Sequence, residues 1–594
     1  MKRSGAEIAG WAVLGLLLLA TLVGALRLDR SKLPLLGDEA TYAMQAASLA
    51  WDLDLAYTRE DYDRFVASWG VPPAGLILQS RPGSDRLVFA KPPLYALVTA
   101  PFVRVSPVRG GVVANALLLA AASLLAASTL KKRLGAAAPL WVAVFVFASV
   151  AISAVFWGEA DFFLFAAVAA GFALVYGGDR AAGAPASIYQ GEDTVPVRRV
   201  VARFAAAGVL LAVAGAYRPF YLILLVPAAL AALGLPAERR RSALSGVMAG
   251  ALVLLLVSMG VQRAAGGDWT GYGGQRQGIY EGHSYPAVDF PASGWSERVE
   301  KRGNASWLRP GMFTPRLDPG LLGWNLVYFL AGQTVGVLPY FLPLLLGFLA
   351  FAGDRGRWAL PVAVAVAAGC FLLFLPYDFA GGGALANRYF LPLYPALWFL
   401  AARPVRPAWA LLAVALAAPF LLPLWRNPAA YPVDQGELRH VSDLARRILP
   451  YETTQSALPG AQVSVGGGLW AKLLSSNVWP AERGRGLRIA GEGPASLLVG
   501  SPQPLDALLL DLDRRAPTKI VVNGEELRPA LLKADGGVVF MVPLRRPRAV
   551  HPISWSPYDH HFYMLDLRLP GAPAAPISFT LEPASRDLIQ RGGG

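Results

Sequence analysis

Long apolar runs recur along most of the chain and restrict it to a fold that crosses a lipid bilayer. Eleven such runs lie near residues 8–27, 110–130, 138–157, 160–176, 203–217, 219–236, 243–262, 326–352, 359–376, 389–402 and 408–424. Most approach the ~20 residues that span a hydrocarbon core. The chain is 55% hydrophobic and only 16% charged, whereas soluble domains are about 25% charged. We therefore predict a polytopic α-helical membrane protein of about eleven spans.

Short basic clusters between the runs predict the orientation. With residue 1 in the cytoplasm, every predicted inner loop carries Lys or Arg, as the positive-inside rule requires. These loops are residues 131–137, 177–202, 237–242, 353–358 and 403–407. The net charge of +14 is thus explained by loops at a membrane, and nucleic acid is not expected as a partner. No small-residue cleavage pattern follows the first run, which is interpreted as a span and not as a signal peptide.

The composition changes near residue 426 and divides the chain into two predicted domains. Residues 1–425 form a membrane domain with two large outer loops, residues 28–109 and 263–325. Residues 426–594 contain short alternating segments punctuated by Gly and Pro. This pattern predicts an extracytoplasmic, soluble, mostly β domain with a sandwich-like form. Residues 320–352 are long enough for one span or two, and the choice stays open.

Cysteine and histidine give no metal site. Cys370 is the one cysteine, so the sequence excludes a disulfide within the chain and a cysteine-based metal site. His560 and His561 are adjacent in a predicted strand and would point to opposite faces. With His551 they are interpreted as ordinary surface and core residues. The sequence shows no clear metal cluster, so no cofactor is predicted, although a divalent metal is left open.

Charged residues at the outer ends of predicted spans are the candidates for chemistry, since such groups in membrane proteins mark functional sites. They lie in Gly37-Asp38-Glu39, Lys91-Pro92-Pro93, Trp157-Gly158-Glu159-Ala160-Asp161, Tyr217-Arg218-Pro219, Tyr377-Asp378 and Asn387-Arg388-Tyr389. Acids also suit a helix start, and a lysine can anchor a chain at the membrane surface, so each stretch alone is weak evidence. Together the cations suit a phosphate, and a carboxylate nearby suits proton abstraction from a hydroxyl.

Three motifs, taken in order, resemble the type C membrane glycosyltransferases. They are Gly37-Asp38-Glu39-Ala40-Thr41-Tyr42, Lys91-Pro92-Pro93-Leu94-Tyr95 and Asn387-Arg388-Tyr389-Phe390-Leu391-Pro392-Leu393-Tyr394-Pro395. The pattern is most similar to protein O-mannosyltransferases and to the aminoarabinose transferases of lipid A, over about residues 1–425. The resemblance implies an inverting hexosyl- or pentosyltransferase of the bacterial inner membrane. It also implies a polyprenyl-phosphate sugar as donor and catalysis on the outer face.

The resemblance further implies a role for individual residues. Asp38 would be the catalytic carboxylate that takes the proton of the acceptor hydroxyl, and Glu39 would assist it or hold the acceptor or a metal. Lys91 and Arg388 would bind the leaving lipid phosphate, with Arg218 as a further candidate. The residues expected to line the cavity are Tyr42, Tyr95, Glu159, Asp161 and Tyr389.

Other functions stay open at this stage. The main alternative is a multi-span transporter or a flippase-like protein for a lipid-linked or anionic substrate, although transporters usually show repeated halves and we find none. A non-catalytic scaffold and an O-antigen ligase or polymerase are further alternatives. The sugar is not specified, and the acceptor is a polysaccharide, a lipid or a protein. The β domain either covers the site or contacts glycan.

Overall fold

The structure is a computed structural model of the chain. It describes residues 5–31, 35, 37–73, 76–80, 87–177, 196–267, 269, 275–279, 317–352, 357–382, 385–401, 406–429, 441–450, 452, 454–455, 462–466, 468–473, 478–480, 486–489, 495–501, 503, 505–512, 519–522, 525–527, 530–534, 537–543, 561–568 and 577–584. The predictions for His551, His560 and most of the second large loop fall outside these residues.

The N-terminal part is helical. Its helices are α1 (Gly5–Arg27), α2 (Asp38–Trp51), α3 (Arg59–Trp69), α4 (Leu94–Val105), α5 (Gly110–Leu134), α6 (Ala138–Phe147), α7 (Ala151–Ala154), α8 (Ala160–Tyr176), α9 (Val197–Tyr217), α10 (Leu225–Leu233), α11 (Ala237–Gly266), α12 (Pro319–Ala331), α13 (Val337–Tyr340), α14 (Leu344–Ala352), α15 (Ala359–Phe374) and α16 (Pro407–Arg426). Ala and Leu, which favour helices, dominate these segments. A glycine in the left-handed conformation ends α3, at Gly70, and α11, at Gly267.

Among the residues that the structure describes, five helical stretches are long and apolar enough to cross a membrane. They are Gly5–Arg27, Gly110–Phe147, Val197–Tyr217, Ala237–Gly266 and Ala408–Arg426. Five shorter apolar helices accompany them, at Leu94–Val105, Ala160–Tyr176, Pro219–Leu233, Pro319–Ala331 and Ala359–Phe374. The chain is therefore a multi-pass membrane protein, while the count of eleven spans stays a prediction.

Three apolar runs do not form one continuous helix. The run 138–157 is divided between α6 and α7. The run 326–352 is divided among α12, α13 and α14. The run 389–402 contains a buried 3-10 segment, Tyr394–Leu400, in place of an α-helix. Pro392 and Pro395 lack the N–H that an α-helix would use, so they disfavour a regular span in this run.

Helices α9 and α11 pack closely because small residues line their contact. A Cβ added at Gly208 would lie 2.2 Å from the carbonyl oxygen of Val247, and one added at Gly250 would lie 2.2 Å from that of Ala205. Only glycine permits this approach of the two backbones. The pair gives the membrane domain a rigid element whose C-terminal ends lie near the candidate site.

The first large loop is folded and is joined to the second one. The strands β1 (Ala56–Tyr57), β2 (Leu76–Ser80) and β3 (Leu87–Phe89) of the first loop and β4 (Gln275–Ile279) of the second form one antiparallel sheet in the order β1-β3-β2-β4. Its buried apolar residues meet those of α2 and α3 in a separate small core. The sequence did not predict this pairing between the two loops.

The C-terminal part is antiparallel β structure, as expected, apart from one short helix, α17 (Asp443–Ile448). Its strands are β5 (Gln462–Gly466), β6 (Leu469–Leu473), β7 (Val478–Pro480), β8 (Leu487–Ile489), β9 (Ala495–Ser501), β10 (Ala507–Leu512), β11 (Lys519–Val522), β12 (Glu525–Leu527), β13 (Ala530–Ala534), β14 (Gly537–Pro543), β15 (His561–Arg568) and β16 (Ile577–Ala584). They form two sheets, ordered β13-β14-β10-β16-β8-β7 and β12-β11-β15-β9-β6-β5. Apolar residues of both sheets contribute to one core, while the sandwich-like form stays a prediction.

Candidate active site

Asp38 lies in the first turn of α2, where the backbone is fixed on both sides. Gly37 precedes the helix with φ 60° and ψ −121°, a conformation that L side chains rarely adopt. The Thr41 hydroxyl donates to the Gly37 carbonyl at 2.8 Å and accepts from the Ile77 backbone N–H at 2.9 Å. These bonds join the start of α2 to strand β2, so the Asp38 carboxylate is held at a defined place.

Lys91 reaches Asp38 from the segment that precedes α4. The Lys91 ammonium lies 2.6 Å from Asp38 Oδ1 and 5.6 Å from the centre of the Tyr42 ring. Its backbone carbonyl accepts from the side-chain amides of Gln45, at 2.9 Å, and Gln262, at 3.2 Å. Helices α2 and α11 thus hold the lysine from two sides, and the ammonium lies between a carboxylate and an aromatic face.

Arg388 collects three carboxylates around one guanidinium. Its Nη2 lies 2.7 Å from Asp38 Oδ2 and 3.0 Å from Glu159 Oε2, and its Nε donates to Asp161 Oδ2 at 2.7 Å. The guanidinium also lies 5.1 Å from the centre of the Trp157 ring. Arg388 therefore connects α2 with the start of α8, although it is 350 residues from Asp38 in the sequence.

Arg218 completes the cluster on the far side of Asp161. Its Nη1 donates to Asp161 Oδ1 at 2.7 Å, and its guanidinium lies 4.1 Å from the centre of the Tyr389 ring. The Tyr221 hydroxyl donates to the Tyr389 backbone carbonyl at 2.7 Å and so anchors the backbone beside Arg388. Asp161 is thus shared between the two arginines.

The structure brings six predicted site residues into one continuous set of ion pairs. These residues, called the charge cluster below, are Asp38, Lys91, Glu159, Asp161, Arg218 and Arg388. All six are at least half buried, as their low side-chain exposures show. Their roles stay predictions; Lys91 and Arg388 both contact the Asp38 carboxylate directly.

Glu39 lies outside the charge cluster. Its two carboxylate oxygens accept from the two terminal nitrogens of Arg30, with 2.8 Å between Arg30 Nη2 and Glu39 Oε2. Glu39 Oε1 also accepts from the Gly158 backbone N–H at 2.8 Å. Glu39 is 1% exposed and Arg30 is 2% exposed. The predicted assisting carboxylate therefore joins the end of α1 to the residue before Glu159.

Aromatic side chains line one side of Lys91. The Tyr42 and Tyr95 rings pack edge to face with their centres 5.4 Å apart, and the centres of the Tyr42 and Tyr217 rings are 6.4 Å apart. The Tyr217 hydroxyl donates to the Pro92 carbonyl at 3.0 Å and accepts from the Tyr95 N–H at 2.8 Å. The predicted Tyr42 and Tyr95 thus lie beside the cluster, and Tyr217 fixes the segment of the two prolines.

Burial and neighbouring charge have opposite effects on the carboxyl groups. Burial raises the pKa of Asp38, but the charges of Lys91 and Arg388 outweigh it and hold that pKa well below its usual range. Burial raises the pKa of Glu159 well above its usual value, although Arg388 opposes the shift. Asp161, Glu159 and Asp38 hold the pKa of Arg388 above its usual value despite burial. Asp38 is therefore ionised and poorly basic while both cations remain on it.

Asp378 lies just before the glycines that lead to Arg388. Burial raises the pKa of its carboxyl to about 6, although Arg388 and Arg218 oppose the shift. The Gly382 N–H donates to this carboxylate. The group therefore changes its charge near pH 6, within the electrostatic influence of Arg388.

Two residues of the site were missed in the sequence. Arg30 had no signal beyond its position after the first apolar run, and Tyr217 was noted only as a neighbour of Arg218. Among the residues that the structure describes, no group of three or more His, Cys, Asp or Glu side chains has an arrangement that could hold a metal ion. The carboxylates of the charge cluster are held by cations instead.

Comparison with known proteins gives matches among solved structures alone. No protein-family model matches the chain, and no curated protein matches it. ArnT from Cupriavidus metallidurans bound to undecaprenyl phosphate is similar at 17% identity and a TM-score of 0.36, over 70% of this chain and 64% of that chain. The apo state of the same protein is similar at 18% identity and a TM-score of 0.33, with the same coverage. The match thus spans less than two thirds of the ArnT chain.

Proposed function

We propose that the protein is an inverting glycosyltransferase that moves a sugar from a polyprenyl phosphate to a cell-envelope acceptor. One observation carries this proposal, namely that a single carboxylate, Asp38, lies against two cations, Lys91 and Arg388, at 2.6 and 2.7 Å. A carboxylate and a phosphate both present pairs of anionic oxygens that accept from the same donors, so a guanidinium and an ammonium that hold one can hold the other.

The chemistry follows from an exchange of partners. When the phosphate of the donor binds to Lys91 and Arg388, it competes with Asp38 for both cations. The Asp38 carboxylate then loses part of the charge that depresses its pKa and becomes a better proton acceptor. The cations meanwhile lie where negative charge develops on the leaving group.

The transfer step is a single displacement. The oxygen of the acceptor hydroxyl attacks the anomeric carbon of the sugar and forms the new glycosidic bond, while the proton of that hydroxyl passes to Asp38. The bond between the anomeric carbon and the phosphate oxygen breaks, and its electron pair leaves with the polyprenyl phosphate. One displacement inverts the configuration at the anomeric carbon. Lys91 and Arg388 stabilise the phosphate that leaves.

The other predicted residues support this step. Arg218 orients Asp161, which in turn holds the Nε of Arg388. Glu39, which Arg30 and Gly158 occupy, is better suited to positioning the loop of Glu159 than to contacting the acceptor. We further propose that catalysis takes place on the outer face of the inner membrane, where the β domain of residues 426–594 covers the site or contacts glycan.

An activity assay on Asp38→Asn tests the proposal. Wild-type protein in nanodiscs is expected to transfer sugar from one member of a panel of labelled polyprenyl-phosphate sugars to a membrane-extract acceptor. The variant is expected to lose about 100-fold or more in rate, since it lacks the base. It should bind undecaprenyl phosphate at least as tightly as wild type, because the Asp38 carboxylate no longer competes for Lys91 and Arg388.

Asp63→Asn is the matched control, since Asp63 pairs with Arg59 at an exposed place in the same loop. It should leave both the rate and the affinity unchanged. Transfer by Asp38→Asn at the wild-type rate would show that the proposed base is wrong. Movement of a labelled lipid across vesicles by wild-type protein, with no transfer of any sugar, would favour the transporter or flippase alternative.

A further inference from the structure

The first residues of the C-terminal part reach back into the membrane domain. Four of them, called the bridging residues below, contact α12 and the loops that follow α12 and α15. They are Pro450, Glu452, Thr454 and Gln455. Glu452 and Thr454 are fully buried. These contacts lie outside every motif that the sequence singled out.

Glu452 holds the turn after α12 through three hydrogen bonds. Its Oε1 accepts from the backbone N–H groups of Thr334, at 2.5 Å, and Val335, at 2.9 Å. Its Oε2 accepts from the Thr334 hydroxyl at 2.8 Å. The Pro450 carbonyl accepts from the Gln333 N–H at 2.9 Å. Three successive residues of this turn are thus fixed by two bridging residues.

The same turn holds the chain just before Arg388. The Thr334 carbonyl accepts from the Ala386 N–H at 2.5 Å. Ala386 has a φ of 65°, a conformation that costs a residue with a Cβ about 1 kcal/mol or more and needs support from its surroundings. The hydrogen bond to Thr334 supplies this support two residues before the guanidinium that contacts Asp38.

A second path holds the other end of the segment 376–388. The Thr454 hydroxyl donates to Asn325 Oδ1 at 2.6 Å, and Asn325 Nδ2 donates to the Pro376 carbonyl at 2.7 Å. Gln455 Nε2 donates to the same carbonyl at 3.2 Å. Both ends of the segment that contains Asp378 and leads to Arg388 are therefore tied to the bridging residues.

We propose that Glu452 is a positioning residue, which fixes Arg388 for the donor phosphate through Thr334 and Ala386. The β domain is thereby coupled to the site by its own first residues, and displacement of that domain withdraws the support of Arg388. This inference rests on the proposed function for its consequence in phosphate binding, but the structural coupling is independent of that function.

Two measurements on the full-length protein in nanodiscs test the inference. Hydrogen exchange of a peptide that covers 376–391 should be faster in Glu452→Ala than in wild type. The Kd for undecaprenyl phosphate should rise by about fivefold or more, as coupled neighbours typically give. Glu452→Gln should restore both values in large part, because its amide oxygen still accepts from the two N–H groups.

Ser442→Ala is the matched control. Ser442 is buried in the same C-terminal part and caps α17 through a bond from the Ala445 N–H at 3.1 Å. Its loss should not change the exchange of 376–391. Thr334→Val removes only the hydroxyl donor to Glu452, so it should act in the same direction with a smaller effect if Glu452→Ala does not fold.

A double variant distinguishes positioning from general destabilisation. If Glu452 acts through Arg388, Glu452→Ala should add no further loss of affinity to Arg388→Gln. Additive losses, or unchanged exchange of 376–391 in folded Glu452→Ala, would overturn the inference. Absence of undecaprenyl phosphate binding by wild-type protein would overturn the proposed function, while the exchange data would still support or refute the coupling.

Discussion

Asp38 and Glu39 are adjacent in the first turn of one helix and yet have different partners. Successive residues of an α-helix point about 100° apart, so the two carboxylates face different parts of the fold. Asp38 meets Lys91 and Arg388, whereas Glu39 meets Arg30 and Gly158. The acidic pair therefore combines a group able to take part in chemistry with one that fixes the surrounding loops.

Loss of Arg388 is expected to affect both binding and stability. Arg388→Gln leaves Asp38, Glu159 and Asp161 without their shared cation, and breaking a buried ion pair costs about 3–5 kcal/mol. We expect a lower Tm and a weaker affinity for undecaprenyl phosphate. Arg59→Gln, which removes an exposed pair with Asp63, should change Tm little, because such pairs contribute about 0–1 kcal/mol. Equal losses of Tm in the two variants would contradict the conclusion that Arg388 stabilises the fold through buried ion pairs.

Asp378 should make donor binding depend on pH. Its pKa of about 6 means that the carboxyl is neutral below that pH and anionic above it. The anion lies near Arg388 and opposes a bound phosphate, so affinity should fall as the pH rises through about 6. The effect is on the order of 1 kcal/mol, or about fivefold in Kd.

Asp378→Asn removes the contribution of Asp378 to the pH dependence of donor binding, and wild-type protein is its reference. Titration of the ligand phosphate contributes equally to wild type and variant, so the difference between their pH profiles isolates Asp378. We expect the variant and wild type to bind with similar affinity at pH 5 and the variant to bind about fivefold more tightly at pH 8, measured by equilibrium titration in nanodiscs. Identical profiles would assign the pH dependence to another group.

At the scale of elements, the glycines before Arg388 let its backbone fold tightly. Gly381 has φ 82°, and a Cβ there would lie 2.3 Å from Tyr389 Cε1 and 2.7 Å from Arg388 Cγ. Gly381→Ala should therefore displace both side chains, lower Tm and weaken phosphate binding. The backbone conformation alone costs about 1–2 kcal/mol.

Gly468→Ala is a control that shows the cost of a positive φ at alanine without the steric crowding present at Gly381. Gly468 has a similar φ, 77°, but nothing lies within 4 Å of a Cβ added there. It should lose only the conformational part of the stability and keep wild-type affinity for undecaprenyl phosphate. Equal loss of affinity in both variants would show that crowding at Gly381 is not what positions Arg388.

The sequence predicted elements well where one local signal suffices. The start of α2 at Asp38 follows from a glycine and two acids before a helical segment, and antiparallel strands follow from alternation after residue 426. The run 389–402 was expected as a span because hydropathy reports apolar length, whereas Pro392 and Pro395 decide backbone regularity. The pairing of β2 with β4 depends on residues far apart in the sequence.

The candidate site was likewise predictable only where single residues carry a local signal. Charged residues beside apolar runs are few, so Asp38, Lys91 and Arg388 stood out by type and place. Arg30 and Glu452 did not stand out in the sequence. Each contacts a residue, Glu39 or Thr334, whose distance along the chain follows no recognisable pattern. Burial of a charge beside its counterion is a property of the packed molecule.

For the whole molecule, the orientation in the membrane is the main expectation to test. Cys370→Ser gives a background without cysteine, since the chain has one. In that background Arg59→Cys, at an exposed place in the first large loop, should react with a membrane-impermeant maleimide in intact cells. Arg198→Cys, exposed at the start of α9, should react only after permeabilisation. The reverse pattern would invert the predicted topology.

The order of the charge-cluster residues along the chain determines when their ion pairs can form during synthesis. Its three carboxylates and its lysine precede residue 177, while Arg218 and Arg388 follow residue 196. Asp38 and Arg388 are separated by 350 residues, which a ribosome adds in about 20–70 s. Until Arg388 is added, the carboxylates have only Lys91 and, later in that interval, Arg218 as cations of their own cluster, so water or protons must neutralise the rest. The ion pairs of Asp38, Glu159 and Asp161 with Arg388 can therefore form only after the last predicted spans have been synthesised.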